Sequence, residues 1–463
     1  MTEQLKLKLN DSKATRWGAL VIVAFTMMAA YYVNDVVAPL KTMLETDLAW
    51  SSTDFGFFTG GYSFLNVFFL MLIWGGFILD RFGIRFTGKL ATILMVGGTA
   101  LEYYAMTGLA GADATLFGIN EIFGYKTGVF VAFAGYSIFG VGAEVAGITV
   151  SKIIAKWFKG KELATAMGVQ VALARIGSQA GYAVAIPLAR AFGISTPVLL
   201  GLVLLLGGMI AFFIFAVMDK KLDKQMEAAA IAAGTEDEEE KFSFKDVKNI
   251  LVNPGFWLIA LLCVLFYSCV FPFQKFASEL MIIKYGINEN VAGTFAGLPA
   301  LGALILTPVF GGFIDKRGKS ASIMLLGSAM LICVHFIYAI PDINYWLVAI
   351  VLMIILGIAF SLVPSAMWPA VAKIFPVSQL GTAYALIFFI QNIGLWGIPT
   401  LIGWVLDAYC ISGKKPDGTN MYDYTVPMCI FTGIACLSLI VALLLKKADK
   451  KYGYKLEEPN IQK

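Results

Sequence analysis

Residues 76–85 read GFILDRFGIR, and a related stretch at residues 311–318 reads GGFIDKRG. Asp315 of the second stretch lies 235 residues after Asp80 of the first (315 − 80). Each stretch follows a long apolar run and leads into a short basic loop. A motif that recurs at so long an interval indicates that the chain consists of two related halves.

A second pair of similar stretches supports this duplication. Residues 163–166 read LATA and residues 380–383 read LGTA, an offset of 217 residues (380 − 163). The two offsets differ by 18 residues (235 − 217), and the first half has an additional segment, residues 108–127, where the second half has only residues 341–343. We therefore predict two homologous halves that share one fold.

The composition is that of a membrane protein. Of the 463 residues, 59% are hydrophobic and only 14% are charged, and the mean hydropathy is +0.78. Apolar runs of about twenty residues, each long enough to cross a bilayer, recur along the chain. A closed barrel would show short segments that alternate between apolar and polar residues. We predict an all-α membrane protein with twelve spans in two pseudo-symmetric six-helix bundles, at approximately residues 16–40, 53–78, 87–107, 128–155, 162–189, 195–218, 254–283, 289–314, 320–340, 344–372, 379–406 and 424–446.

The loop charges predict the orientation. Lysine and arginine residues are concentrated in the loops on one side, and this side holds both chain ends, so the positive-inside rule places both termini in the cytoplasm. The polar start of the chain also argues against a cleavable signal peptide. The longest loop gives three regions: a first bundle at residues 1–218, a cytoplasmic linker at 219–253, and a second bundle at 254–463. The acidic run at residues 236–240 is interpreted as a solvated part of this linker.

Several classes of chemistry find no support in the sequence. The chain has a single histidine, His335, and its six cysteines do not have metal-ligand spacing. It lacks a dinucleotide fingerprint, a phosphate-binding loop and a nucleophile elbow. We therefore expect neither an enzyme nor a bound cofactor or metal, and no nucleic-acid partner.

Two charges lie deep in consecutive apolar spans. Glu144 shares a helical face with Gly140 and Gly147, and Arg175 shares one with Gln179. Ionisable residues inside a membrane are costly, which makes them candidates for function. The alternative is a structural ion pair between these two residues.

Further polar residues are candidates for the same site. Lys275 is the comparably deep base of the second half, although it could instead extend to the outer surface. Asp35 follows Tyr31 and Asn34 in the first span and lies either at the site or near the outer end of that span. Aromatic residues in the spans are either walls of the site or ordinary packing: Tyr62, Trp368, Tyr384 and Trp396.

Other charged residues receive separate interpretations. Asp80, Arg81 and Arg85 are interpreted as a gate at the cytoplasmic surface, with topology-setting charges as the alternative. His335 is expected to be a packed histidine, and Glu102 is a less favoured candidate for a proton site. Glu279, near the outer end of the seventh span, is expected to be solvated.

These motifs resemble those of the major facilitator superfamily. Residues 76–85 resemble its hallmark loop, and the stretch at 311–318 resembles the degenerate copy of that loop. The resemblance extends to the lysosomal dipeptide transporter branch through several stretches: WFKGKEL at 157–163, ARIGS at 174–178, FPF at 271–273, WP at 368–369, QLGTAY at 379–384 and QNIG at 391–394. It covers nearly the whole chain and implies the major facilitator fold, with gating residues Gly76, Asp80, Arg81, Gly83, Arg85, Asp315 and Lys316.

The resemblance implies uniport-like movement of dipeptides or similar zwitterions by alternating access. Glu144, Arg175 and Lys275 match the substrate site of the branch. An arginine can hold a carboxylate through two parallel hydrogen bonds, and an acid can hold the ammonium group. The full set of expected substrate-binding residues is Glu144, Arg175, Lys275, Asp35, Tyr31, Asn34, Trp368, Tyr384 and Asn392.

The sequence leaves alternatives to this function. The same charges fit a proton-coupled carrier of organic anions, and a membrane sensor that does not transport is a third reading. The chain lacks the lysosomal sorting signal of the eukaryotic branch, and its sequon at Asn10 is on the cytoplasmic side. We therefore expect a multi-pass protein of a bacterial inner membrane whose partners are a small solute and the lipid bilayer, without an obligate protein partner.

Overall fold

The computed structural model describes residues 8–111, 114–158, 161–233 and 244–459. The acidic run at 236–240 lies outside these residues. The first half contains helices α1 (Lys13–Val36), α2 (Lys41–Leu48), α3 (Ser52–Phe68), α4 (Met71–Thr107), α5 (Thr127–Trp157), α6 (Leu163–Phe192) and α7 (Thr196–Ala233). A short hairpin, β1 (Glu121–Ile122) and β2 (Tyr125–Lys126), precedes α5.

The second half also consists mainly of long helices. Its helices are α8 (Phe244–Val252), α9 (Pro254–Tyr285), α10 (Glu289–Ala296), α11 (Leu298–Arg317), α12 (Ser320–Ala339), α13 (Trp346–Ile374), α14 (Val377–Tyr409) and α15 (Thr425–Tyr452). A second hairpin, β3 (Ile411–Lys414) and β4 (Asn420–Tyr422), separates the last two helices. In the predicted linker at 219–253, α7 continues to Ala233 and α8 begins at Phe244.

The helices are consistent with the twelve predicted spans, although fewer than twelve are recognised by length and apolar composition alone. Among the described residues, nine helices are long and apolar enough to cross a membrane, and the bent pair α3–α4 brings the number to ten. The other two predicted spans correspond to the part of α4 after Gly83 and to α6, in which Gln170, Arg175 and Gln179 interrupt the apolar residues.

The second and third spans differ from their predicted limits. A 58° bend separates α3 from α4, where the chain passes through Leu70 in the left-handed region. The predicted loop at 79–86 is helical except at Gly83, whose φ of 74° and ψ of 174° are conformations that essentially only glycine adopts. The sequence pattern did not predict the break at Leu70, because it follows the apolar residues Phe68 and Phe69 without a proline or glycine.

The two halves pack through equivalent helices. In the first half α4 packs on α5 and α1 on α6, and in the second half α11 packs on α13 and α9 on α14. Between the halves, α3 packs on α14 and α6 on α11. Small residues allow the close approach of α3 and α14, since a Cβ atom at Gly56 would lie 2.4 Å from the Pro399 carbonyl oxygen.

The two faces of the molecule are named by what they carry. The hairpin side holds β1–β2 and β3–β4, and the terminal side holds the start of α1 and the end of α15. On the hairpin side, Asp407 of α14 accepts hydrogen bonds from the backbone nitrogens of Ser52 and Thr53 at the start of α3. These contacts join the two halves on the hairpin side.

Candidate functional site

Arg175 lies near the middle of α6, where it faces both halves. Its Cζ atom lies 5.5 Å from the centre of the Tyr31 ring in the first half and 4.9 Å from the centre of the Phe360 ring in the second. In the part of the chain that the structure describes, the guanidinium has no hydrogen bond or ion pair. A half-buried arginine held between two rings keeps its donors available for a ligand.

Glu144 lies near the middle of α5 and is bound to a neighbouring tyrosine. The Tyr62 hydroxyl donates to Glu144 Oε1 at 3.0 Å. Glu144 and Arg175 do not form an ion pair among the described residues, so the structural pair considered from the sequence is absent there. Glu144 is held by Tyr62, whereas Arg175 lies between the Tyr31 and Phe360 rings.

Lys275 does not extend to the surface. It is buried and donates to the Asn34 carbonyl oxygen at 2.6 Å and to Asp35 Oδ1 at 3.2 Å. Asp35 is also buried and accepts a hydrogen bond from Ser178. This contact joins the first span to the seventh, and it shows that Lys275 neutralises Asp35 in this structure.

Two residues of this cluster were missed in the sequence. The Tyr136 hydroxyl donates to the Asn34 carbonyl oxygen at 2.7 Å and lies 3.4 Å from Lys275 Nζ. Ser178 donates to Asp35. Spacing could have found both, because Tyr136 lies one turn before Gly140 on the Glu144 face and Ser178 lies three residues after Arg175.

An aromatic cluster in the second half adjoins Arg175. Tyr267 and Phe271 are stacked with ring centres 5.5 Å apart, and Phe360 lies edge-on to Phe271 at 5.3 Å. The Trp368 indole nitrogen donates to the Tyr267 hydroxyl at 3.2 Å. The second half therefore presents aromatic rings where the first presents charges.

Tyr384 and Asn392 lie on α14 near this cluster. The Tyr384 hydroxyl donates to the Trp368 carbonyl oxygen at 3.0 Å. Asn392 is buried, and its amide nitrogen donates to the Phe388 carbonyl oxygen at 2.9 Å within its own helix. Its side-chain oxygen has no hydrogen-bond partner among the described residues. The Trp396 ring instead packs edge-on against Phe68 of the first half, with centres 4.7 Å apart.

The expected gating residues of the first half lie together on the terminal side. Asp80 Oδ1 is 3.0 Å from Lys152 Nζ, and Arg85 Nη1 is 2.8 Å from Asp223 Oδ2. The guanidinium of Arg81 lies 5.8 Å from the Phe82 ring centre. Gly76 lies one turn before Asp80, and Gly83 marks the break in α4.

The second copy of the loop has a different setting. Asp315 and Lys316 are in the last turn of α11, which Gly318 ends at a φ of 70°. Lys316 is exposed and Asp315 is half-buried. The corresponding position to Gly83 is Gly318 (83 + 235), and both residues have a positive φ.

The expectations for three other residues have different outcomes. His335 is fully buried and packed, with Nε2 3.0 Å from the Cys269 carbonyl oxygen, which confirms the prediction. Glu279 is 1% exposed, so the prediction of a solvated residue is wrong. The reason is a buried ion pair with Lys41, whose Nζ lies 2.5 Å away in the other half. Glu102 is fully buried, and neither carboxylate oxygen has a hydrogen-bond partner among the described residues.

These groups carry the chemistry that a ligand with both an acidic and a basic group would need. Arg175 offers donors for a carboxylate, and Glu144 offers an acceptor for an ammonium group. Lys275 could add charge only after separation from Asp35. None of these groups forms a nucleophile and base pair of the kind that covalent catalysis needs.

Comparisons with known proteins identify the family of the chain. The family model described as Major Facilitator Superfamily matches residues 20–399 and 276–458. The lysosomal dipeptide transporter MFSD1 of Homo sapiens is 29% identical over 454 residues, which cover 95% of this chain and 88% of that protein. MFSD1 of Danio rerio is 27% identical over 441 residues, covering 93% and 86%.

Solved structures share the fold at low sequence identity. A point mutant of the nucleoside transporter NupG has a TM-score of 0.68 at 12% identity and covers 92% of this chain and 98% of its own. A D-xylose-proton symporter has a TM-score of 0.64 at 15% identity, with coverage of 93% and 97%. The helix arrangement and the family match lead to one conclusion: the chain belongs to the major facilitator superfamily and is a membrane transporter, not an enzyme.

Proposed function

We propose that this transporter moves dipeptides or similar small zwitterions by alternating access, as a uniporter. The observation that carries the proposal is the position of Arg175, which lies between rings of the two halves and has no hydrogen bond or ion pair in the described residues. A substrate carboxylate that binds this guanidinium would lie beside rings of both halves. The MFSD1 relatives, whose name is that of a dipeptide transporter, support this choice of cargo.

The other site residues receive roles that follow from their contacts. Glu144 binds the substrate ammonium group, and Tyr62 orients the Glu144 carboxylate. Asp35 is the counter-ion of Lys275. Asn34 and Tyr136 are further partners of the Lys275 ammonium group. Tyr31, Trp368, Tyr384 and Asn392 complete the walls. Binding favours the occluded state only to the extent that the substrate contacts both halves better in that state.

The gate, domains and location are parts of the same proposal. Gly76, Asp80, Arg81, Gly83 and Arg85, with Asp315 and Lys316 in the second half, form the terminal-side gate. The two bundles are residues 1–218 and 254–463, joined by the linker at 219–253. We place the protein in a bacterial inner membrane with both termini in the cytoplasm, working without an obligate protein partner.

A second candidate is a proton-coupled carrier of organic anions. The observation that favours it is Glu102, a fully buried acid whose two oxygens lack hydrogen-bond partners in the described part of the chain. An isolated carboxylate is costly to bury in its charged form, so such a residue can hold a proton. In this reading Arg175 and Lys275 bind the anion.

Uptake into liposomes distinguishes these candidates. The purified protein is reconstituted and tested with a panel of dipeptides and organic acids, with and without a pH gradient. We expect saturable dipeptide flux that does not require the gradient. Flux of organic anions without dipeptide flux, or flux that needs the gradient and is lost in Glu102→Gln, favours the second candidate.

Two variants test the site itself. Arg175→Ala removes the carboxylate-binding group and should lower dipeptide flux by about 100-fold, because a charge-assisted bidentate contact is lost. Arg190→Ala is the matched control, since Arg190 lies on the same helix but its partner Glu289 is on the exposed hairpin-side surface. Unchanged dipeptide flux in a folded Arg175→Ala variant would contradict the site assignment.

A further inference from the structure

Four charged residues meet inside the hairpin side of the protein. Lys41 is 1% exposed, and its Nζ atom lies 2.5 Å from Glu45 Oε1 and 2.5 Å from Glu279 Oε2. Lys415 Nζ lies 3.7 Å from the remaining oxygen of each acid. Two acids and two bases therefore share one buried cluster, and their formal charges cancel.

The cluster joins three separate stretches of the chain. Lys41 and Glu45 belong to α2 of the first half, whereas Glu279 belongs to α9 of the second half. Lys415 follows β3, in the hairpin between the last two helices. The ion pair between Lys41 and Glu279 thus connects the halves directly, and Lys415 connects the hairpin to both.

Neighbouring polar groups hold these charges in position. Ser52 donates to Glu45 Oε1 at 3.1 Å, and the Tyr424 hydroxyl donates to Glu279. The Tyr422 ring lies beside Lys41, with its centre 4.7 Å from Nζ, and its hydroxyl donates to Asp407 at 2.7 Å. The cluster is therefore an organised network that extends over both halves.

Separation of the halves on this side must break the cluster. A buried ion pair that loses one partner leaves an uncompensated charge, which is strongly unfavourable until water reaches it. The exposed ion pair between Arg190 and Glu289 also crosses the halves on this side, with side chains 43% and 42% exposed. Water screens that pair, so its loss should have little effect on the same opening.

We propose that Lys41, Glu45, Glu279 and Lys415 form a hairpin-side latch that holds this side closed and must be released in each transport cycle. The latch acts on the equilibrium between the two orientations and does not contact the cargo. It rests on the alternating access proposed above but not on the choice of cargo, so its test does not depend on the dipeptide proposal.

A cysteine reporter measures whether the hairpin side is open. Pro39 lies in the seam between the halves, since its Cβ atom is 3.1 Å from the position of a Cβ at Gly293. Pro39→Cys is placed in a background in which the exposed Cys333, Cys429 and Cys436 are serine. A membrane-impermeant maleimide is then applied from the hairpin side, and the rate of labelling is recorded.

Removing one charge of the latch should expose the reporter. Glu279→Gln keeps the size of the side chain but loses the charge between the halves, and we expect about tenfold faster labelling. Glu289→Gln, the matched control at the exposed ion pair, should label at the parent rate. The charge-exchanged variant, Lys41→Glu with Glu279→Lys, should return labelling toward the parent rate.

The possible results separate clearly. Parent-rate labelling in a monodisperse Glu279→Gln variant would overturn the latch, as would equal acceleration in Glu289→Gln. If Glu279→Gln does not yield folded protein, Glu45→Gln replaces it. Glu45 belongs to the first half and contacts both Lys41 and Lys415. Parent-rate labelling in that variant would also overturn the proposal.

Discussion

The terminal-side ends of the two halves use different chemistry at equivalent positions. In the first half, Asp219 of α7 is fully buried and accepts hydrogen bonds from Lys156 at 2.8 Å and from the Trp157 indole nitrogen at 2.9 Å. Asp223, one turn later, binds Lys156 and Arg85. We call these contacts the first-half clamp; apart from Trp157, its members are charged side chains.

The second half is held by its own tail. Asp449 of α15 is buried, but it accepts a hydrogen bond from the backbone nitrogen of Leu456 at 2.9 Å. The tail then covers the start of α12, where the nitrogens of Lys319 and Ser320 donate to tail carbonyl oxygens. Glu457 Oε1 accepts from the Ser322 nitrogen at 2.8 Å. This second-half clamp consists mainly of backbone hydrogen bonds that cap a helix.

One residue explains the difference between the clamps. The position equivalent to Arg85 is Ser320 (85 + 235), which carries no charge that could pair with an acid on the last helix. Its backbone donor is instead satisfied by the Leu456 carbonyl oxygen at 3.0 Å. Both halves of this duplicated fold fix the segment that follows their second span, but they do so with different contacts: charged side chains in the first half and backbone hydrogen bonds in the second.

The largest expected effect is at Asp219. Asp219→Ala removes the buried acceptor of Lys156 and Trp157, and we expect the free energy of unfolding to fall by about 3 kcal/mol because a buried charge pair loses one partner. Thermal unfolding in detergent, followed by tryptophan fluorescence, measures this. A loss no greater than that of Asp223→Asn would show that the first-half clamp does not depend on its buried acid.

Next in size is the contrast between the two equivalent glycines. Both have a positive φ, but a Cβ at Gly83 meets open space, whereas one at Gly318 would lie 2.4 Å from the Glu457 carbonyl oxygen. Gly83→Ala should cost about 1 kcal/mol from backbone strain alone, and Gly318→Ala about 2–3 kcal/mol because the tail must also move. The same unfolding measurement compares them, and equal costs would contradict the role of the tail.

A smaller effect is expected at Glu457. Glu457→Ala removes the carboxylate that caps the start of α12, and the loss should be about 1 kcal/mol, as for other helix N-caps. Hydrogen exchange of the first turn of α12, read by mass spectrometry, should increase in this variant. Glu458→Ala is the matched control, because the Glu458 contact to Lys373 uses its backbone oxygen and its carboxylate pairs with the exposed Lys455.

The smallest effect is expected at Asp223. Its side chain is 40% exposed, so Asp223→Asn should lower the free energy of unfolding by only about 0.5 kcal/mol, and less at high salt. Unfolding curves at low and high ionic strength check this. The loss of stability in Glu457→Ala should depend little on salt, since backbone groups make most of the second-half clamp. A similar salt dependence in both variants would contradict the difference between the two clamps.

Much of the fold could be predicted from local pattern. Apolar runs marked most spans, and the paired motifs at residues 76–85 and 311–318 revealed the two halves. The charges at Glu144, Arg175 and Lys275 were recognised because they interrupt apolar helices. The bend at Leu70 could not be predicted in this way, since the residues around it are as apolar as those of the span.

The sequence by itself determined the family, the duplication and which charged residues lie deep in the spans. These properties follow from residue type and spacing, which are local. Only the tertiary structure decided the partners: Lys275 with Asp35, and Lys41 with Glu279. Each of these pairs joins residues more than 200 positions apart, so it depends on how the two halves meet. For the same reason Glu279 is buried, although its place near a helix end had suggested a solvated residue.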